Sequence, residues 1–283
     1  MNNKHDNEKA LSPLQKALLA LKDARAKLEK YEAQNHEPIA IVGMGCRFPG
    51  GASNPERFWD ILKNGVDAIS EVPSNRWSLD KYYDSNPESL GKMHTRYGGF
   101  IDLVDEFDAN FFGISPREAI NLDPQQRLLL EVTWEAIEYS GKNPQELNGS
   151  KTGVFMGICG NDYNQRILLQ DLENIDAYVA SGNAHSTASG RISYILGLLG
   201  PSLAIDTACS SSLVSVHLAC SSLRKGECNL ALAGGVNRLI SPEASIALSK
   251  ARMLSFDGRC KTFDASADGF VRGEGSGIVV LKR

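Results

Sequence analysis

Residues 200–213 have the sequence GPSLAIDTACSSSL, and the prediction of the fold starts from them. Their first half predicts a short buried strand over Ser202–Ile205, and a tight polar turn follows. A helix is expected to begin close to Cys209, because apolar residues then recur at helical spacing from Leu213 to Ala219. This arrangement places Cys209 at the positive end of a helix, where negative charge is favoured.

The residues alone leave two interpretations of Cys209 open. A thiolate is the nucleophilic form of cysteine, and a helix N-terminus favours it, so Cys209 is a candidate nucleophile. The alternative is that Cys209 is a small buried apolar side chain, which is the commoner role of a lone cysteine.

Residues 206–213, DTACSSSL, resemble the active-site signature of the β-ketoacyl synthases, in the form used by modular polyketide synthases. Five other stretches resemble the same family in the same order along the chain. They are 37–49 (EPIAIVGMGCRFP), 111–119 (FFGISPREA), 123–127 (DPQQR), 189–194 (SGRISY) and 268–275 (DGFVRGEG). The resemblance runs from about Glu37 to Arg283.

The resemblance implies a thiolase-like α/β fold with α-β-α-β-α layers, of which residues 38–283 form the N-terminal half. It implies acyl transfer from an acyl carrier protein to Cys209, followed by decarboxylative Claisen condensation with a malonyl-type extender. Ala208 and Ser210 belong to the implied substrate and oxyanion region. No cofactor is expected to bind directly, because the substrates arrive on the phosphopantetheine arm of the carrier protein.

The family's catalytic histidines belong to segments of the second half, His-Gly-Thr-Gly-Thr and a later Gly-His, which this sequence lacks. His217 lies eight residues after Cys209, about 12 Å along a helix, and is expected to be packed or hydrogen-bonded. His185 approaches Cys209 only if tertiary folding brings it there. We therefore expect this half-domain to be inactive in isolation.

The N-terminal residues predict a helix over 12–33, between a disordered start at 1–11 and a joint at 34–37. Ser12 is the expected N-cap, with Pro13 in the first turn and Gln15 completing a capping box. The helix carries a heptad seam that includes four leucines. These are Leu14, Leu18, Leu21 and Leu28.

This seam favours a parallel two-stranded coiled coil in a homodimer. The segment resembles the N-terminal docking segments of polyketide synthase subunits, which receive the C-terminal tail of an upstream subunit. One alternative is an amphipathic helix that lies on the body of its own chain. Another is that the whole chain is a non-catalytic docking and dimerisation fragment. A third, a thiolase relative that uses coenzyme A thioesters, is disfavoured by residues 206–213 and by this helix.

The remaining pattern predicts helices alternating with strands, and hence a mainly parallel sheet covered on both faces. The first predicted strand, 39–42, ends at Gly43. The pair Gly43 and Gly45 does not continue into a dinucleotide-binding fingerprint, because Phe48 occupies the third glycine position. Residues 66–110 are rich in turn formers and predict a long surface excursion.

Composition and charge argue against several kinds of partner and site. The net charge is −4 and no basic run stands out, so neither nucleic acid nor a membrane surface is an expected partner. The six cysteines form no Cys-x-x-Cys pair, so we expect no metal site and no disulfide framework. The polar start lacks the apolar core of a secretion signal, and a cytoplasmic location is expected.

Overall fold

The computed structural model describes residues 12–103, 105–169, 173 and 175–283, so the predicted disordered start at 1–11 lies outside the described residues. The helices are α1 (Pro13–Asn35), α2 (Pro55–Lys63), α3 (Leu79–Tyr82), α4 (Pro116–Asn121), α5 (Pro124–Tyr139), α6 (Asp162–Leu168), α7 (Tyr178–Asn183), α8 (His185–Leu196), α9 (Ser211–Lys225) and α10 (Glu243–Lys250). The strands are β1 (Ala40–Arg47), β2 (Ser70–Glu71), β3 (Tyr97–Gly98), β4 (Thr152–Gly157), β5 (Ser202–Ile205), β6 (Leu230–Asn237) and β7 (Gly275–Lys282). Short 3₁₀ turns cover Pro144–Leu147 and Ala208–Ser210.

Five strands form one sheet in the order β1-β7-β6-β4-β5. Strand β4 is parallel to both β5 and β6, whereas β7 is antiparallel to both β6 and β1. The expectation of a mainly parallel sheet was therefore wrong for half of the pairings. The reason is the return path of the chain: Asn237 at the end of β6 pairs with Gly275 at the start of β7.

Helices cover both faces of this sheet. Val154 and Met156 of β4 pack in a core with α5 and α8, while Phe155 between them packs in a second core with α9. This alternation is the period-2 pattern of a strand buried on both faces. All six residues of β4 are buried, so the sheet gives a rigid base to the loops at its end.

Strand β1 continues to Arg47, five residues beyond its predicted end at 42. Gly43 and Gly45 lie inside the strand and let α5 approach the sheet closely. A Cβ atom on Gly43 would lie 2.4 Å from the Ala136 carbonyl oxygen, and one on Gly45 would lie 2.6 Å from that of Val132. The glycine pair therefore serves helix–sheet packing.

Strand β5 has the predicted bounds but is not a buried strand. It lies at the edge of the sheet, where Ser202 and Leu203 are exposed and only Ile205 is buried. The prediction of burial was wrong because an apolar run does not reveal whether the strand has a neighbour on each side. Ile205, the buried end, is the residue that leads into the turn containing Cys209.

Residues 66–110 are more than a surface excursion. They contain α3 and the short pair β2–β3, and they enclose an apolar cluster. The buried members of this cluster are Val72, Trp77, Met93, Phe100 and Leu239. The prediction failed because frequent turn residues concealed apolar side chains that have no regular spacing.

A buried ionic cluster joins this excursion to the sheet. The Glu274 carboxylate, whose side chain is fully buried, accepts hydrogen bonds from Arg76 at 3.0 and 3.1 Å and from Arg238 at 3.2 Å. The backbone N–H groups of Ile101 and Leu239 donate to the same carboxylate at 2.9 and 3.0 Å. Every oxygen of this buried charge is thus hydrogen-bonded, as burial of a carboxylate demands.

Helix α1 begins with the predicted capping box. Ser12 N donates to Gln15 Oε1 at 2.9 Å, and Gln15 N donates to Ser12 Oγ at 3.2 Å. The helix ends at Asn35, two residues beyond the predicted boundary at 33. Although α1 contacts α9, its seam leucines are exposed, from 54% for Leu18 to 80% for Leu14. This face therefore does not pack on the body of its own chain.

Candidate active site

Cys209 lies in a sharp turn between β5 and α9. The strand ends at Ile205, a 3₁₀ turn covers Ala208–Ser210, and α9 begins at Ser211, two residues after the cysteine. Cys209 is exposed, so the alternative of a small buried apolar side chain does not apply. The expected strand–turn–helix order is present, with Cys209 just ahead of the helix.

Hydrogen bonds within the turn hold its shape. Asp206 Oδ1 accepts from Ala208 N at 3.0 Å, and Ser211 Oγ accepts from Thr207 N at 2.9 Å. The hydroxyls of Thr207 and Ser210 are 2.8 Å apart. Asp206 and Thr207 thus shape the turn, and Ala208 and Ser210 flank the thiol on either side, where the implied substrate region lies.

Ala208 adopts a left-handed backbone conformation, with φ of 53°. A residue with a Cβ atom pays a cost there, and such strain persists only where the surroundings over-determine the backbone. The bonds to Asp206 and Ser211 supply that constraint. Cys209 therefore follows a residue whose backbone is strained, in a tight turn.

The carboxyl end of β4 packs directly against the start of α9. A Cβ atom on Gly157 would lie 2.8 Å from both Ser211 C and Ser212 N, and Ile158 N donates to Ile205 O at 3.1 Å. The segment that follows β4, residues 158–162 up to the first residue of α6, therefore leaves the sheet beside the turn of Cys209. We call it the β4 loop.

The β4 loop carries a second thiol. Cys159 is an exposed residue, but its sulfur is partly shielded from water, and this partial burial raises the pKa of the thiol. Negative charge at Asp206 and Cys209 raises the pKa further. A raised pKa favours the neutral thiol, which is the poorer nucleophile. Cys159 is therefore suited to line the space near Cys209.

Two side chains from other helices hold the β4 loop. The Gly160 carbonyl oxygen accepts from Gln125 Nε2 at 2.8 Å and from His185 Nε2 at 3.0 Å. Asp162 Oδ2 accepts from Ile240 N at 3.2 Å, and burial raises the pKa of this carboxyl. Tertiary folding thus brings His185 to the loop beside Cys209. The position of His185 in the sequence did not decide whether it would approach Cys209.

The other candidate histidine does not join the site. His217 is exposed on α9, contrary to the packed or hydrogen-bonded position expected for it. His94 is buried elsewhere, with Nε2 2.8 Å from Leu254 O and its ring tilted by 33° against that of Phe256. Among the residues that the structure describes, no group of three or more His, Cys, Asp and Glu side chains could hold a metal ion.

Sequence reasoning missed Gln125, Cys159 and Gly160. A usable signal was present, because the carboxyl ends of neighbouring parallel strands open onto the same edge of a sheet, where ligands bind in α/β folds. Residues that follow β4 therefore belong beside those that follow β5, its parallel neighbour. Gln125 carried no such signal, since its place at the loop depends on how α5 packs.

A cavity of about 880 Å³ lies away from this turn. It lies between β1, α5 and residues 101–103 and 105–108, and no residue from 157–162 or 205–212 lines it. Its wall includes Glu131, whose pKa is raised by burial. This cavity therefore does not adjoin the candidate nucleophile Cys209.

The family model for the β-ketoacyl synthase N-terminal domain matches residues 36–283. The chain belongs to this family. The expected thiolase-like α/β fold and the expected coverage of the N-terminal half of a polyketide synthase ketosynthase domain are thereby confirmed. Within the described part of the chain, no helix combines the length and apolar character needed to cross a membrane.

Similar proteins belong to mycobacterial synthases. The chain is 54% identical over 273 residues to one of the phenolphthiocerol/phthiocerol polyketide synthase subunits of Mycobacterium tuberculosis, covering 96% of this chain and 15% of that protein. It is 50% identical over 278 residues to a type I polyketide synthase of phenolphthiocerol synthesis from Mycobacterium bovis, covering 98% and 13%. The chain thus spans about one seventh of the length of these relatives.

Similar solved structures are ketosynthases. The oxazolomycin ketosynthase domain from Streptomyces albus aligns with a TM-score of 0.83 and 39% identity, covering 87% of this chain and 44% of that one. The ketosynthase from module 6 of the bacillaene synthase of Bacillus subtilis aligns with a TM-score of 0.78 and 43% identity, covering 87% and 40%. The chain therefore matches less than half of each ketosynthase.

Proposed function

We propose that this chain is the part of a polyketide synthase ketosynthase that carries the acyl intermediate on Cys209. The observation that carries the proposal is the exposed Cys209 in the turn ahead of α9, in a chain that belongs to the β-ketoacyl synthase family. A helix N-terminus favours the negative charge of an attacking thiolate. A strained turn presents the thiol outward, where a substrate arm can reach it.

In the first step, the Cys209 thiolate attacks the thioester carbonyl of an acyl group that is carried on the phosphopantetheine arm of an acyl carrier protein. A new thioester forms at Cys209, and the pantetheine sulfur leaves as a thiolate that takes up a proton. The oxyanion formed during this transfer needs nearby N–H donors. The backbone N–H of Cys209, just ahead of α9, is the proposed source of one such donor.

In the second step, a malonyl-type extender loses carbon dioxide, and the resulting carbanion attacks the acyl group on Cys209. A carbon–carbon bond forms, and the Cys209 thiolate leaves. This step needs donors that stabilise an enolate. His217 is exposed on α9 and His94 is engaged with Leu254, so neither is proposed for this task. We therefore propose that the isolated chain does not complete the condensation.

The test uses a full-length protein in which this chain is joined to the second half of a ketosynthase domain, and a Cys209→Ala variant of that protein. Wild-type protein is expected to form condensation product from an acyl thioester and a malonyl carrier protein, and the variant is expected to lose it. A Cys159→Ser variant is the matched control, because it changes the other exposed thiol of the site and is expected to retain product formation. Product formation by Cys209→Ala at the wild-type rate would refute the proposal.

The proposed partners are an acyl carrier protein, an upstream synthase subunit and a second copy of this chain. The exposed leucine face of α1 supports a parallel pairing of two copies, because an isolated helix with an unburied apolar seam lacks a stabilising partner. Replacing Leu14, Leu18, Leu21 and Leu28 by Gln is expected to weaken dimerisation and binding of the upstream subunit, measured by light scattering and pull-down. The proposal also places the reaction in the cytoplasm, which cell fractionation would test.

A further inference from the structure

The β4 loop leaves the sheet beside the turn that carries Cys209. Its first residue, Ile158, is hydrogen-bonded to Ile205 at the end of the neighbouring strand, at 3.1 Å. Gly157 packs against the first turn of α9, with no room for a Cβ atom. Since both contacts are rigid, the position of the loop beyond Cys159 controls the room left beside the thiol.

One backbone atom ties this loop to two helices. The Gly160 carbonyl oxygen accepts from Gln125 on α5 at 2.8 Å and from His185 on α8 at 3.0 Å. Both lone pairs of this oxygen are therefore used. No other described side chain donates to Gly160 O.

Gln125 is itself held rigidly. It is buried in the first turn of α5, where its backbone N–H donates to Asp123 Oδ1 at 2.8 Å and its Nε2 lies 3.2 Å from Asp123 Oδ2. His185 is the first residue of α8. The clamp thus joins two helix N-termini to the loop beside the nucleophile.

The clamp does not depend on the protonation state of His185. A carbonyl oxygen only accepts hydrogen bonds, so His185 Nε2 must carry the hydrogen. The neutral Nε2–H tautomer and the imidazolium both meet this requirement. A positioning role therefore predicts no change in pH profile when another Nε donor replaces the ring, whereas an acid–base role predicts one.

We propose that His185 and Gln125 are positioning residues that hold Gly160, and that the resulting shape of the β4 loop selects which acyl groups reach Cys209. This inference rests on the proposed acyl transfer to Cys209. It concerns acceptance of the acyl group, since neither side chain is shown in contact with the thiol.

The first experiment measures amide hydrogen exchange of residues 158–162 in the full-length protein. His185→Ala removes one of the two donors, and exchange in this segment is expected to rise about fivefold, the effect of losing one typical hydrogen bond. His185→Gln places an Nε donor at the same distance along the side chain and is expected to restore slow exchange. Equal exchange in all three proteins would overturn the positioning role.

The second experiment measures loading of Cys209 from pantetheine thioesters of short and long acyl groups. His185→Ala is expected to raise KM several-fold, unequally for the two thioesters, with little change in kcat and none in alkylation by iodoacetamide. His185→Gln is expected to restore KM with an unchanged pH profile. An unchanged KM in His185→Ala, or the loss of one limb of the pH profile in His185→Gln, would overturn the selection role.

The two experiments separate this inference from the proposed function. If the wild-type protein is not loaded on Cys209 by any thioester, the proposed acyl transfer fails, and selection of the acyl group fails with it. The exchange experiment still decides whether His185 positions the β4 loop, because hydrogen exchange requires no substrate.

Discussion

The Ser211 hydroxyl accepts a hydrogen bond from the Thr207 backbone N–H at 2.9 Å. The same oxygen donates to Ala208 O at 2.7 Å, so one side chain in the first turn of α9 closes the loop around Cys209. Ser211 is buried and belongs to the helix, whereas Thr207 precedes the nucleophile. The exposed thiol therefore has its position set by a residue that the solvent barely reaches.

Ser211→Ala removes both of these hydrogen bonds, so the turn loses two contacts that hold its shape. We expect a loss of about 1–3 kcal/mol in the free energy of unfolding, and slower alkylation of Cys209 by iodoacetamide. Urea denaturation and mass spectrometry measure the two effects. Ser212→Ala is the control, because Ser212 is exposed and should change stability by less than about 0.5 kcal/mol. Equal effects of the two variants would contradict the role of Ser211.

Gly43→Ala tests the close packing of α5 on β1. The new Cβ atom would lie 2.4 Å from Ala136 O, so the helix must shift, and we expect a loss of about 1–3 kcal/mol in the free energy of unfolding. Gly190→Ala is the matched control in α8, where an added Cβ meets nothing within 4 Å. That variant is expected to gain about 0.5–1 kcal/mol, because alanine favours a helix over glycine. Thermal and urea unfolding measure the change in the free energy of unfolding of each variant.

Local signals in this sequence were predictable from the residues themselves. The capping box of Ser12 and Gln15 involves atoms only three residues apart, and it forms as expected. The turn at Cys209 is similarly local, since its hydrogen bonds join residues within 206–211.

Long-range relationships were not predictable in the same way. The direction of β7 depends on a return path of 37 residues between Asn237 and Gly275, and a strand pattern is the same in either direction. The clamp on Gly160 joins residues that are 25 and 35 positions away in the chain. Only the packing of α5 and α8 on the sheet brings those residues together.

Glu274→Gln tests the buried ionic cluster that joins the 66–110 excursion to the sheet. The substitution keeps the shape of the side chain but leaves Arg76 and Arg238 buried without their counter-charge. A loss of about 3–5 kcal/mol in the free energy of unfolding is expected, measured by urea denaturation. Glu88→Gln is the control, because its ion pair with Arg252 is exposed and should contribute less than about 1 kcal/mol. A loss below about 1 kcal/mol in Glu274→Gln would contradict this account.

The ionised carboxylate of Asp257 is expected to contribute to the stability of the fold, and this contribution is expected to be lost in acid. Hydrogen bonds lower the pKa of Asp257 to about 2. The bond from Lys261 has the largest effect, and the bond from Ser255 has the next largest. Because the folded pKa is below the unfolded value of about 3.9, ionised Asp257 stabilises the fold above about pH 4, and this contribution is lost as the pH falls to about 2.

The measurement compares the wild-type protein with Asp257→Asn across this pH range. The difference in free energy of unfolding is expected to be constant above about pH 5 and to shrink towards about pH 2. A difference that stays the same throughout, or that grows in acid, would show that the charge of Asp257 does not contribute in this way.

The most direct measurement is the site of acyl loading. The full-length protein is incubated with an acyl-pantetheine thioester, and peptide mass spectrometry locates the adduct. We predict one acyl group per chain on Cys209, with release of one pantetheine thiol, and no adduct on Cys159 or in the Cys209→Ala variant. An unmodified Cys209, or an equal yield of adduct in Cys209→Ala, would contradict the account.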